Sequence, residues 1–158
     1  MIQTVTTYAE LSKYSKAFAE GHFEVFILLG NPGLSKSTLL RKEMENRECK
    51  WLEGTVSAFH LYCEAYWNRN KPIVIDDVDN PYGDRAAIRV LKCLCQTDAV
   101  KFVGWHTAAK QLDDAGVPRD FHTESKVCII ANVWKELNKN IAAVEDRGLL
   151  VDFRPDSL

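Results

Sequence analysis

Two short stretches carry the residue types from which phosphate chemistry is built. The first, Gly30-Asn31-Pro32-Gly33-Leu34-Ser35-Lys36-Ser37, joins a glycine turn to a lysine and a hydroxyl. Where such a loop follows an apolar strand and opens a helix, its backbone N–H groups turn inward around phosphate oxygens and the helix N-terminus adds positive potential. Lys36 would reach the β- and γ-phosphates and Ser37 would hold Mg²⁺, with Gly30, Asn31, Pro32, Gly33, Leu34, Ser35 and Thr38 completing the cradle. The pattern G-x-x-x-x-G-K-[ST] asks for glycine at position 35, where this chain has serine. Ser35 keeps the N–H but adds a Cβ, which is tolerable only where the backbone avoids a conformation reserved for glycine. The plainer alternative is a glycine turn capped by an exposed lysine.

The second stretch, Ile73-Val74-Ile75-Asp76-Asp77, is an apolar strand that delivers acidic groups at its C-terminal end, where ligands bind in open α/β sheets. Asp76 would bind Mg²⁺, directly or through water. Asp77 falls where a carboxylate orients or deprotonates an attacking water, although the commoner residue there is Glu, one methylene longer. The alternative is an acidic turn after a strand, with Asp79 as a helix cap or a solvated charge.

Apolar spacing supplies the elements that must position these groups. Tyr8 to Ala19 has helical periodicity and Gly21 stops it. Phe23 to Leu29 is apolar on both faces and precedes the loop, and a helix runs from Lys36 to about Asn46. A short strand is expected over Trp51 to Val56, a helix over Ala58 to Trp67, and a helix capped by Asp84 over Arg85 to Cys95. Lys126 to Ala131 and Leu149 to Phe153 read as strands, with a helix between them at Trp134 to Val144. Strands apolar on both faces that alternate with helices imply an α/β fold, a three-layer αβα sandwich around a mainly parallel sheet of five strands. Asp98 to Ser125 is too long for a turn and reads as an insertion.

In this order the motifs resemble those of the AAA+ family of P-loop ATPases. Val127-Cys128-Ile129-Ile130-Ala131-Asn132 is similar to that family's sensor-1 strand, whose terminal polar residue, here Asn132, contacts the γ-phosphate and the lytic water. Glu145-Asp146-Arg147-Gly148 resembles the arginine-finger segment of clamp loaders and replication initiators, which makes Arg147 the finger candidate. A guanidinium from a neighbouring subunit would neutralise the charge that phosphoryl transfer spreads over the equatorial oxygens. The resemblance implies one P-loop NTPase core over residues 1–158, with a leading helix within 1–22 and a pre-sensor insertion at 98–125. It also implies ATP and Mg²⁺ as cofactors, catalytic roles for Lys36, Asp77, Asn132 and Arg147, and a homo-oligomeric ring, hexameric by family resemblance. AAA+ proteins usually continue into a helical lid, whereas only Arg154 to Leu158 follow the last strand, which fits a minimal version or a fragment. Taken singly, Asn132 could be a turn residue and Arg147 a cation near a helix C-terminus.

Composition bounds the partners. The 158 residues suit one domain, and 46% apolar with 27% charged residues is the profile of a folded globular chain. A net charge of −2 advertises no global affinity for nucleic acid, so such a site would be a local patch. The insertion offers one: Lys101, Lys110 and Arg119 with Trp105 and His106, in the place where some AAA+ proteins and viral superfamily 3 helicases put a hairpin that grips DNA or RNA. Alternatively it is a surface hairpin whose Trp105 and Phe121 pack on the core. No apolar run approaches the roughly 20 residues of a membrane helix and no secretory leader opens the chain, so a cytoplasmic location without membrane contact is expected. Five cysteines without a C-x-x-C pair argue against disulfides and structural zinc, and His22, His60, His106 and His122 lack ligand spacing. The leading functional expectation is an ATP-hydrolysing, ring-forming AAA+-like module with nucleic acid, met through residues 101–119, as a candidate partner. The alternatives are a nucleotide-binding switch or assembly module with little hydrolysis and a superfamily 3 helicase-like viral or plasmid motor. A small-acceptor kinase fits less well, because Asn132 and Arg147 suit the AAA+ spacing.

Overall fold

Strand Val25–Leu29 is buried at all five positions, and its alternation assigns Phe26 and Leu28 to one apolar cluster and Val25, Ile27 and Leu29 to another. The same division runs through Ile73–Asp76 and Val127–Ala131, where Val74, Cys128 and Ile130 join the first cluster and Ile73, Ile75, Val127 and Ile129 the second. A sheet apolar on both faces must be covered on both, and the helices do so. The chain's computed structural model describes residues 2–54, 56–76, 85–105, 109–132 and 148–155.

In chain order the elements are β1 (Ile2–Val5), α1 (Tyr8–Ala19), β2 (Val25–Leu29), α2 (Lys36–Met44), β3 (Lys50–Glu53), α3 (Ala58–Trp67), β4 (Ile73–Asp76), α4 (Arg85–Leu94), β5 (Lys101–Gly104), α5 (Ala109–Ala115), β6 (Asp120–Thr123), β7 (Val127–Ala131) and β8 (Leu149–Phe153). Helices α1 and α2 cover one face through Leu11, Phe18, Leu40 and Met44, and α3 and α4 cover the other through Leu61, Tyr62, Val90, Leu91 and Leu94. The result is a three-layer αβα sandwich around an all-parallel sheet ordered β1-β8-β2-β7-β4-β3. Thr7 and Ser57 start α1 and α3 by accepting bonds from Glu10 N and His60 N.

The sheet has six strands where five were expected. The additional one, β1, pairs with β8 at the edge; only Val5 of its four residues is buried, so it has no apolar alternation to reveal it. The insertion folds as an antiparallel β5–β6 pair with α5 between its strands. Trp105 packs against Phe59 and Tyr62, and Phe121 against Tyr62 and Tyr66, while Tyr62 Oη–H donates to Pro118 O at 2.7 Å. The hairpin is therefore a pad on α3. The expected helix at 134–144 and the expected cap Asp84 lie outside the described residues, as do Asp77, Asp79 and Arg147.

Candidate functional site at the carboxyl edge of the sheet

Register brings the strand ends to one level. Leu29 pairs with Ala131 and with Asp152, while Asp76 pairs with Ile130 on one side and Glu53 on the other. The carboxyl ends of β2, β4 and β7 thus meet at one crevice, and β7 lies between the glycine-loop strand and the acid strand. Asn132, directly after β7, is delivered between the loop and Asp76. The crevice holds a cleft of about 770 Å³ bordered by Gly33, Ser35, Lys36, Ser37, Asp76 and Asn132, within the usual range for small-ligand sites.

Lys36 opens α2 and is buried under its own loop. Its Nζ donates to Gly30 O at 2.7 Å and Asn31 O at 2.9 Å, and approaches Asn132 Oδ1 at 3.4 Å. Gly30 is glycine for want of room: a Cβ there would stand 3.0 Å from Phe153 O and 3.1 Å from Lys36 Cδ. Ser35, the N-cap of α2, has φ 62° and ψ 24°, the left-handed region. That region favours glycine but admits serine at a cost of about 1–2 kcal/mol, so the departure at position 35 is strained and accommodated.

Ser37 Oγ–H donates to Asp76 Oδ1 at 2.9 Å, which joins the first turn of α2 to the end of β4. The serine hydroxyl and carboxylate are hard oxygens of the kind that Mg²⁺ takes beside phosphate and water. They lie within hydrogen-bond reach of each other at the cleft wall, so the donor set fits such a cation. Cys128, buried on the neighbouring strand, has its thiol pushed well up by burial and then by Asp76, which keeps it protonated.

Lys36, Ser37, Asp76 and Asn132 are therefore brought together, whereas Asp77 and Arg147 are outside the described residues. Two further participants, Trp51 and Arg41, lie outside the loop and acid motifs. Trp51 Nε1–H donates to Asp76 Oδ2 at 3.1 Å, and the Arg41 guanidinium lies 4.2 Å from the Trp51 ring while donating to Glu53 Oε1 at 3.0 Å. The β3–β4 register explains the reach: Trp51 opposes Val74, making Asp76 its diagonal neighbour. A tryptophan in a four-residue edge strand gives no local sign of this.

The basic patch expected on the insertion is corrected at Lys101. That residue is fully buried, its Nζ donating to Ser125 O at 2.7 Å and Glu24 O at 3.5 Å, because β5 starts against the segments that lead into β2 and β7. Trp105 is engaged with Phe59 and Tyr62, and His106 is not described, so Lys110 and Arg119 are left as the exposed cations of that set.

No protein-family model matches the chain. It is 30% identical over 122 residues to an uncharacterized 36.7 kDa protein of the nrdC-mobD intergenic region of Enterobacteria phage T4. The match covers 72% of this chain and 37% of the phage protein, so the chain spans little more than a third of that relative. Among the described residues no helix is long and apolar enough to cross a membrane, and no group of three or more His, Cys, Asp or Glu forms a metal cluster. All five cysteines are free.

Proposed function

We propose that the chain is an ATP-binding and ATP-hydrolysing module of the AAA+ kind that works as a ring-forming oligomer. The observation that supports this most is the convergence of Lys36, Ser37, Asp76 and Asn132 from three strand ends on one cleft, with β7 between the loop strand and the acid strand. Lys36 would exchange the carbonyls of Gly30 and Asn31 for phosphate oxygens, a trade of neutral acceptors for charged ones. Ser37 and Asp76 would hold Mg²⁺, which would supply charge neutralisation on the phosphates. Asn132 would face the terminal phosphate beside Lys36, and Asp77, next in sequence after Asp76, would take the proton of the attacking water. Arg147 would come from the neighbouring subunit. Lys101 and Trp105 are engaged within the fold and are not presented to nucleic acid.

The alternative, a nucleotide-dependent switch with little hydrolysis, draws on the strained Ser35 and on the shorter reach of Asp77. Calorimetry with Mg²⁺–ATP and a phosphate-release assay separate the readings. Binding with turnover supports the motor, binding without turnover supports the switch, and absence of binding overturns both. Mixing inactive Lys36→Ala with inactive Arg147→Ala tests the ring: restored turnover requires interfaces that pair an intact loop with an intact finger, and no recovery removes the finger from the mechanism.

A further inference from the structure

Asp76 uses both carboxylate oxygens, and the two uses differ in kind. Oδ1 accepts from the Ser37 hydroxyl at 2.9 Å, inside the cleft. Oδ2 accepts from the Trp51 indole N–H at 3.1 Å. The far side of this arrangement is itself held, since the Arg41 guanidinium sits 4.2 Å from the indole ring and is tied to Glu53 Oε1 at 3.0 Å. One chain of contacts thus runs Glu53–Arg41–Trp51–Asp76–Ser37 and ties β3 and α2 to β4.

An indole is an unusual choice for that contact. It donates and cannot accept, and it carries no charge. A lysine or arginine at the same place would neutralise the carboxylate and compete with a cation, whereas an uncharged donor fixes its rotation and leaves its charge intact. The cation over the ring face draws electron density from the indole and strengthens the N–H as a donor.

We infer that Trp51 is a positioning residue for the cation site: it clamps Asp76 through Oδ2 so that Oδ1, beside Ser37, is the oxygen presented to Mg²⁺. This rests on the nucleotide reading above, and it concerns a residue that the loop and acid motifs do not include. Partners of this second kind around metal ligands are typically worth about 10- to 100-fold in metal affinity.

The test uses the whole chain saturated with ATP. Mg²⁺ is titrated while the indole N–H resonances are followed in a ¹⁵N-correlated spectrum. The Trp51 signal is assigned by its loss in Trp51→Phe or by its proximity to Arg41. It should move on Mg²⁺ addition while those of Trp67 and Trp105 stay fixed. In Trp51→Phe, which keeps a ring for Arg41, Mg²⁺ affinity should fall about 10- to 100-fold, with ATP affinity in excess chelator within about twofold of the parent. A Trp51 resonance that ignores Mg²⁺, or an unchanged Mg²⁺ affinity in the variant, overturns the inference while leaving nucleotide binding intact. If Trp51→Phe fails to fold, the parent titration decides alone, and a fixed resonance overturns it. If the parent binds no ATP at all, the nucleotide reading falls and this inference with it.

Discussion

Each end of the sheet buries a lysine, and the two are held in ways that give them different meanings. At the carboxyl edge, Lys36 donates to Gly30 O and Asn31 O, carbonyls of one short loop, and borders a cleft of about 770 Å³. At the amino edge, Lys101 is fully buried and donates to Ser125 O and Glu24 O, carbonyls of the segments that lead into β7 and β2. Glu24 is in turn paired with Lys126 at 2.7 Å, and Thr123, Ser125 and Asn70 knit the surrounding turns. Lys36 itself borders the cleft, so on the nucleotide reading a ligand's oxygens would take the place of those carbonyls. Those around Lys101 belong to the frame. A buried lysine becomes a candidate site through the space next to it, and the amino-edge lysine is a rivet.

Reciprocal variants give the largest contrast. Lys36→Ala should lower ATP affinity about 100-fold, the cost of deleting one partner of a charged hydrogen-bonded pair, while the urea midpoint moves little. Lys101→Ala should do the reverse, losing about 3 kcal/mol of stability through a cavity and orphaned carbonyls, with ATP affinity of the folded fraction unchanged. Calorimetry and urea unfolding on both proteins check this, and a Lys101→Ala protein that is stable yet unable to bind ATP would break the contrast.

A smaller effect appears in alkali. Burial, ahead of every other influence, holds the Lys101 ammonium below its ordinary value of 10.5; Cys95 and Glu24 oppose the shift and Lys126 adds to it. The unfolded chain therefore binds the proton more tightly than the native one, so the penalty for this group is present at neutral pH and is relieved as pH rises towards 10.5. The parent's urea midpoint should rise relative to that of Lys101→Met over that interval. Cys95, its buried neighbour, has its thiol pushed up to about 12, chiefly by burial. At neutral pH it should react with a thiol reagent only on unfolding, as mass spectrometry after pulse labelling would show.

The smallest effect concerns the loop itself. Ser35→Gly relieves a left-handed residue, and should stabilise the protein by up to about 1 kcal/mol, less what glycine adds to unfolded-chain entropy. Its urea midpoint should rise slightly. A fall would mean that the serine side chain supports the loop.

The strand–loop–helix order around Gly30 to Ser37, the acid-ended strand at Asp76 and the helical spacing of α1, α3 and α4 are all legible in sequence, because each is a pattern within one segment whose period or turn chemistry is local. The two-sided burial of Val25–Leu29 likewise implies helices on both faces before any coordinates. Other features depend on which segments become neighbours. Strand β1, with only Val5 of its four residues buried, owes its place to the open edge that β8 offers. Lys101 looks like a surface cation until β5 is laid against the amino edge, where carbonyls of Glu24 and Ser125 meet its ammonium. Trp51 reaches Asp76 because β3 and β4 pair in one register, and Asn132 reaches Lys36 because β7 is inserted beside β2. Such contacts join residues far apart in the chain, and only the order and register of the sheet strands bring them within hydrogen-bond distance.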